Sequence, residues 1–259
     1  MDTLALKLVL TPALIGLATL AGRRWGQSVG GWLVGLPLTT GPVAFFIALD
    51  QGERFAAATA LGSLAGAAAE AAFCVAYARL ARRAGWALAL LAGSAAFAAL
   101  GVALQAATLG PLALLLVGIG ALALALRLMP RAAATAPAVR PPRGDLPARM
   151  ALATLVVVLI TAFAPTLGPG PSGLLATYPL FAAILTAFAQ RLEGAAAAAH
   201  VLRGLLFGLF AFAAFCFVLG VGLVPLGIAG AFGAAILAAL VVQGASLWRL
   251  RAGWRFGVS

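Results

Sequence analysis

Glu70 lies inside an apolar run from Phe55 to Ala78, with two further turns of apolar residues before Arg79. A charged carboxylate facing lipid costs several kcal/mol, so such a group turns to the interior and needs a partner there. The sequence offers Arg203, with His200 one turn earlier on the same helical face. His200 is the only histidine, and histidine alone ordinarily titrates near neutrality. Counting helical rise from the ends of the runs puts Arg203 and Glu70 at matching depths. A Glu70–His200–Arg203 cluster could act as a proton relay or an anion site. A structural ion pair, a protonated acid bonded to backbone, or snorkelling of His200 and Arg203 to the interface would use the same residues. The spacing does not choose between these.

Proline supplies the second signal. Gly35-Leu-Pro37-Leu-Thr39-Thr40-Gly41-Pro42 interrupts one apolar run, and Thr177-Tyr178-Pro179 interrupts another. Each proline removes a backbone donor and frees a carbonyl in mid-span. Thr39, Thr40, Thr177 and Tyr178 can refill those bonds or contact a substrate. Broken helices at equivalent points of two halves point to a transporter site; a packing kink is the plainer account.

The elements that must position these residues follow from composition. Hydrophobic residues make up 64% of 259 and charged ones 9%, with mean hydropathy +1.12. Charges that sparse cannot cover a soluble domain, whereas lipid tails solvate apolar faces directly. Runs of spanning length fall at 3–22, 31–49, 55–78, 86–107, 109–126, 150–167, 173–189, 196–220 and 224–248. The expected fold is therefore an all-α polytopic membrane protein of about nine helices, the bilayer being its first partner. The formal charge of +11 sits in the gaps between runs and accompanies no nucleic-acid-binding motif, so no nucleic-acid partner is expected. With the N-terminus outside, the inner loops hold fifteen of the 17 Lys and Arg residues, leaving Lys7 and Arg54 outside. That alternation orients the chain N-out and C-in. The stretch Pro130–Arg149, with five prolines, reads as a basic cytoplasmic loop. The front of the first run carries both Asp2 and Lys7, and Arg23 and Arg24 follow the run directly, the wrong charge order for a cleaved signal.

The halves resemble one another at an offset of 142 residues. Gly31-Trp-Leu-Val-Gly-Leu-Pro37-Leu38 then falls on Gly173-Leu-Leu-Ala-Thr-Tyr-Pro179-Leu180. The two cysteines of the chain, Cys74 and Cys216, coincide without a gap. Residues 1–108 form a first four-helix repeat, 109–149 a linking helix and the basic loop, and 150–259 a second four-helix repeat. The odd number of crossings between them inverts the second repeat, a plan common among secondary transporters. Inversion puts the cysteines on opposite sides of mid-membrane, at a depth difference of roughly 24 Å. Gly173-Leu-Leu-Ala-Thr-Tyr-Pro-Leu-Phe181, with Leu202-Arg203-Gly204 and Phe207-Gly208, resembles the GlpM-like small bacterial membrane proteins. The family's second proline and its histidine after the Pro-Leu-Phe run are not matched. The resemblance implies a bacterial inner membrane and no particular activity.

Metalloprotease, esterase and nucleotide-binding motifs are absent from the sequence, as is a cysteine–histidine metal set. Neither an enzyme nor a cofactor is expected. The expected function is a small secondary transporter or flippase for an unidentified small molecule or lipid, with Glu70, His200, Arg203, Pro37, Thr39, Thr40, Pro42, Thr177, Tyr178 and Pro179 along its pathway. The alternative is a structural or accessory subunit of an envelope complex, and either is compatible with a homodimer. Gln105, Gln190 and Gln243 are expected to bond between helices.

Overall fold

A computed structural model describes residues 3–38, 40–107, 109–130, 142, 144–167 and 177–255. Thr39, most of the basic loop (131–141 and 143), the start of the seventh expected span (173–176) and the chain ends lie outside the described residues. All regular elements among the described residues are helices: α1 (Thr3–Trp25), α2 (Gln27–Val34), α3 (Thr40–Gln51), α4 (Glu53–Leu80), α5 (Trp86–Ala106), α6 (Pro111–Leu128), α7 (Asp145–Leu167), α8 (Leu180–Glu193) and α9 (Ala195–Arg255).

Four helical stretches among the described residues are long and apolar enough to cross a membrane: Glu53–Leu80, Trp86–Ala106, Pro111–Leu128 and Ala195–Ser246. Leu88, Leu91, Val102, Leu112 and Leu116 on α5 and α6 are exposed, which suits lipid rather than water as their solvent. The chain is a helical membrane-type protein.

The last stretch, 52 residues long, would reach about 78 Å if straight, over twice the apolar thickness of a bilayer. It folds back instead. Gly227 takes φ 68° and ψ 174°, a conformation that glycine adopts without a Cβ penalty, and Pro225 just before it lacks a backbone donor. Ala231 then lies against Gly222, and the Phe232 ring stands edge-on to Phe215 at 6.3 Å. The sequence pattern puts this turn at Gly220–Val224, but those apolar residues continue the helix. The break waits for Pro225 and Gly227.

α4 and the first arm of α9 (195–226) form the centre and run antiparallel. Ala57 and Leu61 meet Gly220, and Glu53 approaches Gly227. Ala56, Ala60 and Leu64 share one apolar core with Leu219 and Leu223. Phe73, Cys74, Tyr77 and Ala78 share another with Leu202, Leu206 and Leu209. Continuing this register puts Ala69 level with Ala211, both fully buried. A third core joins α1, α7, α8 and the start of α9 through Ile15, Ala153, Leu185 and Val201.

Positions 142 apart repeat their backbone detail. Gly52 (φ 88°) and Gly194 (φ 89°) each join a half-length helix to a long one. The amide of Gly41 donates to the Pro37 carbonyl at 2.9 Å, and that of Ala183 to Pro179 at 2.8 Å. Leu38 donates to Leu36 at 2.8 Å, and Leu180 to Tyr178 at 2.7 Å.

Candidate functional site at the helix breaks

α2 ends at Val34, Gly35–Leu38 are not helical, and α3 begins at Thr40. Pro42 therefore sits in the first turn of α3, where a missing donor costs nothing, and does not itself break the helix. Pro37 and Pro179 do stand at the breaks, each accepting the first hydrogen bond of the helix that follows. Thr40, Thr177 and Tyr178 are half-buried beside them.

The breaks pack across halves. α2 lies on α9, with Gly35 so close that a Cβ there would stand 2.7 Å from Gly208 Cα. Farther along the same crossing, a Cβ on Gly31 would run into the Val201 carbonyl, and one on Gly204 into that of Ser28. On the other side Thr177 lies against α4, where a Cβ on Gly66 would stand 2.9 Å from Thr177 Cβ. Thr177 follows Gly35 by 142 positions, and Gly208 follows Gly66 by the same number. The two contacts correspond at that offset, and each joins a helix break to a long helix from the other part of the chain.

Glu70 sits at the middle of this arrangement. It lies one turn after Gly66, which meets Thr177, and three residues before Phe73, whose ring stands 6.1 Å from that of Tyr178. Residues three and four apart share a helical face, so the carboxylate shares the face that meets the second break. It is next to Ala69, where the two long helices are level, and within electrostatic reach of both Cys74 and Cys216.

Arg203 is not its partner. The antiparallel register sets Arg203 opposite Tyr77, about 10 Å along the axis from Glu70. The ion pairs among the described residues involve neither group. Arg203 instead points a terminal nitrogen at the Pro130 carbonyl, 3.5 Å away, and the His200 ring meets the Ser28 hydroxyl at 3.4 Å. Equal distances from the ends of two runs do not give equal depth, because the long helices overlap about Ala69 and Ala211 rather than about the centres of the apolar runs. The same offset brings the cysteines closer in depth than the expected value: each lies five residues from the level point, in opposite directions, giving about 15 Å.

Three residues singled out by sequence acquire partners, or lack them, in ways the spacing did not specify. Tyr178 stacks edge-on between Phe73 and Phe97, the latter at 5.5 Å, and its hydroxyl bonds Ser94 at 2.7 Å. Gln190 bonds the carbonyls of Ala81 and Ala84, as an interhelical amide should. Gln243 does not: it is 4% exposed, and neither amide atom has a hydrogen-bonding partner. Each unpaired atom in such a place costs roughly 1–3 kcal/mol. It follows Ala239 and Ala235, which belong to the apolar core that also holds Leu219 and Leu223 of the first α9 arm. One turn later the Ser246 hydroxyl accepts from the Trp32 indole at 3.0 Å, while the Trp32 carbonyl adjoins Gly208. Gln243 is thereby level with Ala211 and with Glu70.

Comparison with protein-family models, curated proteins and solved structures gives no match. The site stands on its own residues.

A second polar group closes the end of the bundle where α4 finishes and α9 begins. Asp145, in the first turn of α7, is paired with Arg23 at 2.5 Å and with Arg149 at 2.9 Å. Arg149 is 4% exposed and its guanidinium lies 4.8 Å over the Phe188 ring. Burial pulls this guanidinium below its ordinary pKa, and the Asp145 charge opposes that. Gln27 bonds Glu193 nearby at 2.7 Å. An i, i+4 acid–base pair was the visible signal here; the reach across to α1 was not.

Proposed function

We propose that this chain is a small secondary transporter or flippase of a bacterial inner membrane, carrying out transport rather than catalysis. In this reading it has nine spans arranged as four, one and four, with the second group inverted, the N-terminus outside and the C-terminus cytoplasmic. α2 with α3 counts as one broken span, α8 with the residues before it as another, and the two arms of α9 as two more.

The observation that carries this reading is the exchanged packing of the breaks: Gly35 on Gly208 and Thr177 on Gly66. A contact and its counterpart 142 residues on, each made between halves, favour a two-fold relation between them, and the antiparallel α4 and α9 fit an axis in the membrane plane. Interrupted helices crossing at such an axis set a substrate site at mid-membrane. Glu70 beside that crossing supplies the ionisable group that a simple bundle has no use for. Alternating access would then consist of one set of breaks loosening while its image stays packed, and the Arg23–Asp145–Arg149 group would hold the inner side shut.

Side-specific labelling tests this. Thr40→Cys and Thr177→Cys, each built on Cys74→Ala/Cys216→Ala, are treated in oriented vesicles with a membrane-impermeant maleimide applied from one side or the other. A transporter reacts at both positions from both sides in turn. A static accessory subunit, reacting from one side or from neither, would remove the reading.

A further inference from the structure

Gln243 is more than nine-tenths buried, with both amide atoms unpartnered. Contacts on either side of it say what it faces. Phe232 meets the Phe45 ring of α3 at 5.5 Å, and the Ser246 hydroxyl accepts from the Trp32 indole of α2 at 3.0 Å. Gln243 follows Phe232 by about three helical turns, so the two share a face. It precedes Ser246 by a little under one turn on the same side. The order of the contacts makes this arm antiparallel to α2 and α3. The rise of about 4.5 Å from Ser246 back to Gln243 then corresponds to the step from Trp32 to Gly35. Gln243 therefore faces the first helix break. We infer that Gln243 and the carbonyl end of α2 form a binding site for an alkali-metal cation. This goes beyond the transport reading and stands without it.

The helical ladder lapses where α2 ends. The Leu36 amide donates to Leu33 rather than to Trp32, and the Leu38 amide donates to Leu36 rather than to Val34. The Trp32 and Val34 carbonyls thus leave the ladder at the level of Gln243. The Trp32 carbonyl turns to Gly208, which has no side chain to cover it. The C-terminal end of a helix carries partial negative charge, and interrupted membrane helices offer such carbonyls to small cations. The Gln243 amide suits the same ion: its oxygen adds a ligand while its nitrogen donates to a neighbouring carbonyl. An amide buried without hydrogen bonds is costly, and a bound ion offsets that cost.

Charge decides the class of ion. α2, the residues of its break and both arms of α9 contain no Asp or Glu, and Asp50 lies at the far end of α3. Divalent cations ask for carboxylates, whereas neutral oxygens suit a single positive charge. An anion would meet the negative end of α2. Basic groups are turned elsewhere. The His200 ring meets Ser28 in the first turn of α2, about 10 Å along the axis from Gly35, and Arg203 points at the Pro130 carbonyl.

The test uses the purified full chain in detergent, unfolded by heat in chloride salts of fixed ionic strength. N-methylglucamine is replaced stepwise by sodium, and in a second series by potassium. An ion held by the folded chain alone raises the midpoint with the logarithm of its concentration once that exceeds Kd. Sodium or potassium should raise it by roughly 5 °C over the full replacement. Gln243→Met, close to glutamine in shape, should keep the native elution profile and lose this shift, and Gln243→Leu should do the same. Both should melt in N-methylglucamine no lower than the natural chain, because the unpaired atoms are gone. Gln105→Leu, at an exposed position on α5, should retain the whole shift. Equal midpoints of the natural chain in all three salts, the result expected of a bound water only, would overturn the inference whatever the variants do. A shift of unchanged size in either Gln243 variant, or its loss in Gln105→Leu, would do so as well.

Discussion

Gly35→Ala is the most direct probe of the exchanged packing. Gly35 has φ −73° and ψ −3°, a conformation that alanine adopts freely, so any cost must be steric. The added Cβ would stand 2.7 and 2.8 Å from Gly208 Cα and C, and 2.9 Å from the Leu205 carbonyl oxygen, where ordinary contact begins near 3.4 Å. All three neighbours are backbone and cannot swing aside, so α2 must withdraw from α9 by several tenths of an ångström along the whole crossing. Overpacking of this kind costs about 1–3 kcal/mol. Gly62 is the control: it is exposed on α4 with nothing within 4 Å of its Cβ position, and alanine there should stabilise by up to about 1 kcal/mol. The two substitutions, chemically identical, should differ by about 1–4 kcal/mol in reversible unfolding monitored in detergent–lipid micelles. The image contact adds a diagnostic. A Cβ on Gly66 meets the Thr177 side chain rather than backbone, so Gly66→Ala/Thr177→Gly should be more stable than the single effects sum to. Equal stabilities for Gly35→Ala and Gly62→Ala would refute the reasoning.

Three further outcomes are expected. Asp145→Asn leaves Arg149 buried without its counter-charge and should destabilise the bundle by about 3–5 kcal/mol, whereas Asp50→Asn at an exposed turn should stay within about 0.5 kcal/mol in the same unfolding measurement. Reporter fusions after Ala136 and Ser259 should both register cytoplasm; a periplasmic signal from either contradicts the nine-span topology. Cys74 and Cys216, about 15 Å apart in depth, should resist copper-phenanthroline oxidation to an intramolecular disulfide, for which Cα atoms must come within about 7 Å.

The helices were legible because hydrocarbon imposes length and apolarity together, and Phe55–Ala78 or Trp86–Ala107 satisfies both without ambiguity. Pro37 and Pro179 marked the breaks for a local reason, the missing donor, and local causes survive translation into a fold. Pro42 misled because proline's effect depends on whether its donor was needed, which is settled by where α3 starts. The Glu70–Arg203 pairing failed for want of register: apolar runs have soft ends, and a shift of a few residues between antiparallel helices moves a partner by a full turn or more. Gln243 carried no signal beyond being polar. What distinguishes it from Gln190 is whether a carbonyl lies within reach, and that is a property of the neighbouring loop at Ala81 and Ala84.

The crossing of α2 with α9 also sets a timetable for synthesis. Gly31 and Gly35 can be covered only by backbone from Val201 to Gly208, which leaves the ribosome some 170 residues later. At roughly 5–20 residues per second the wait is on the order of 10–30 s. Throughout it, α2 is a short, glycine-faced segment with its backbone bare on one side and its C-terminal carbonyls without a continuing helix. A nascent chain in that condition needs something to shelter it, and the first half released alone would keep the same uncovered groove. Mixing separately made halves should therefore restore the fold only where both are present in one membrane, each supplying the long helix that the other's break requires.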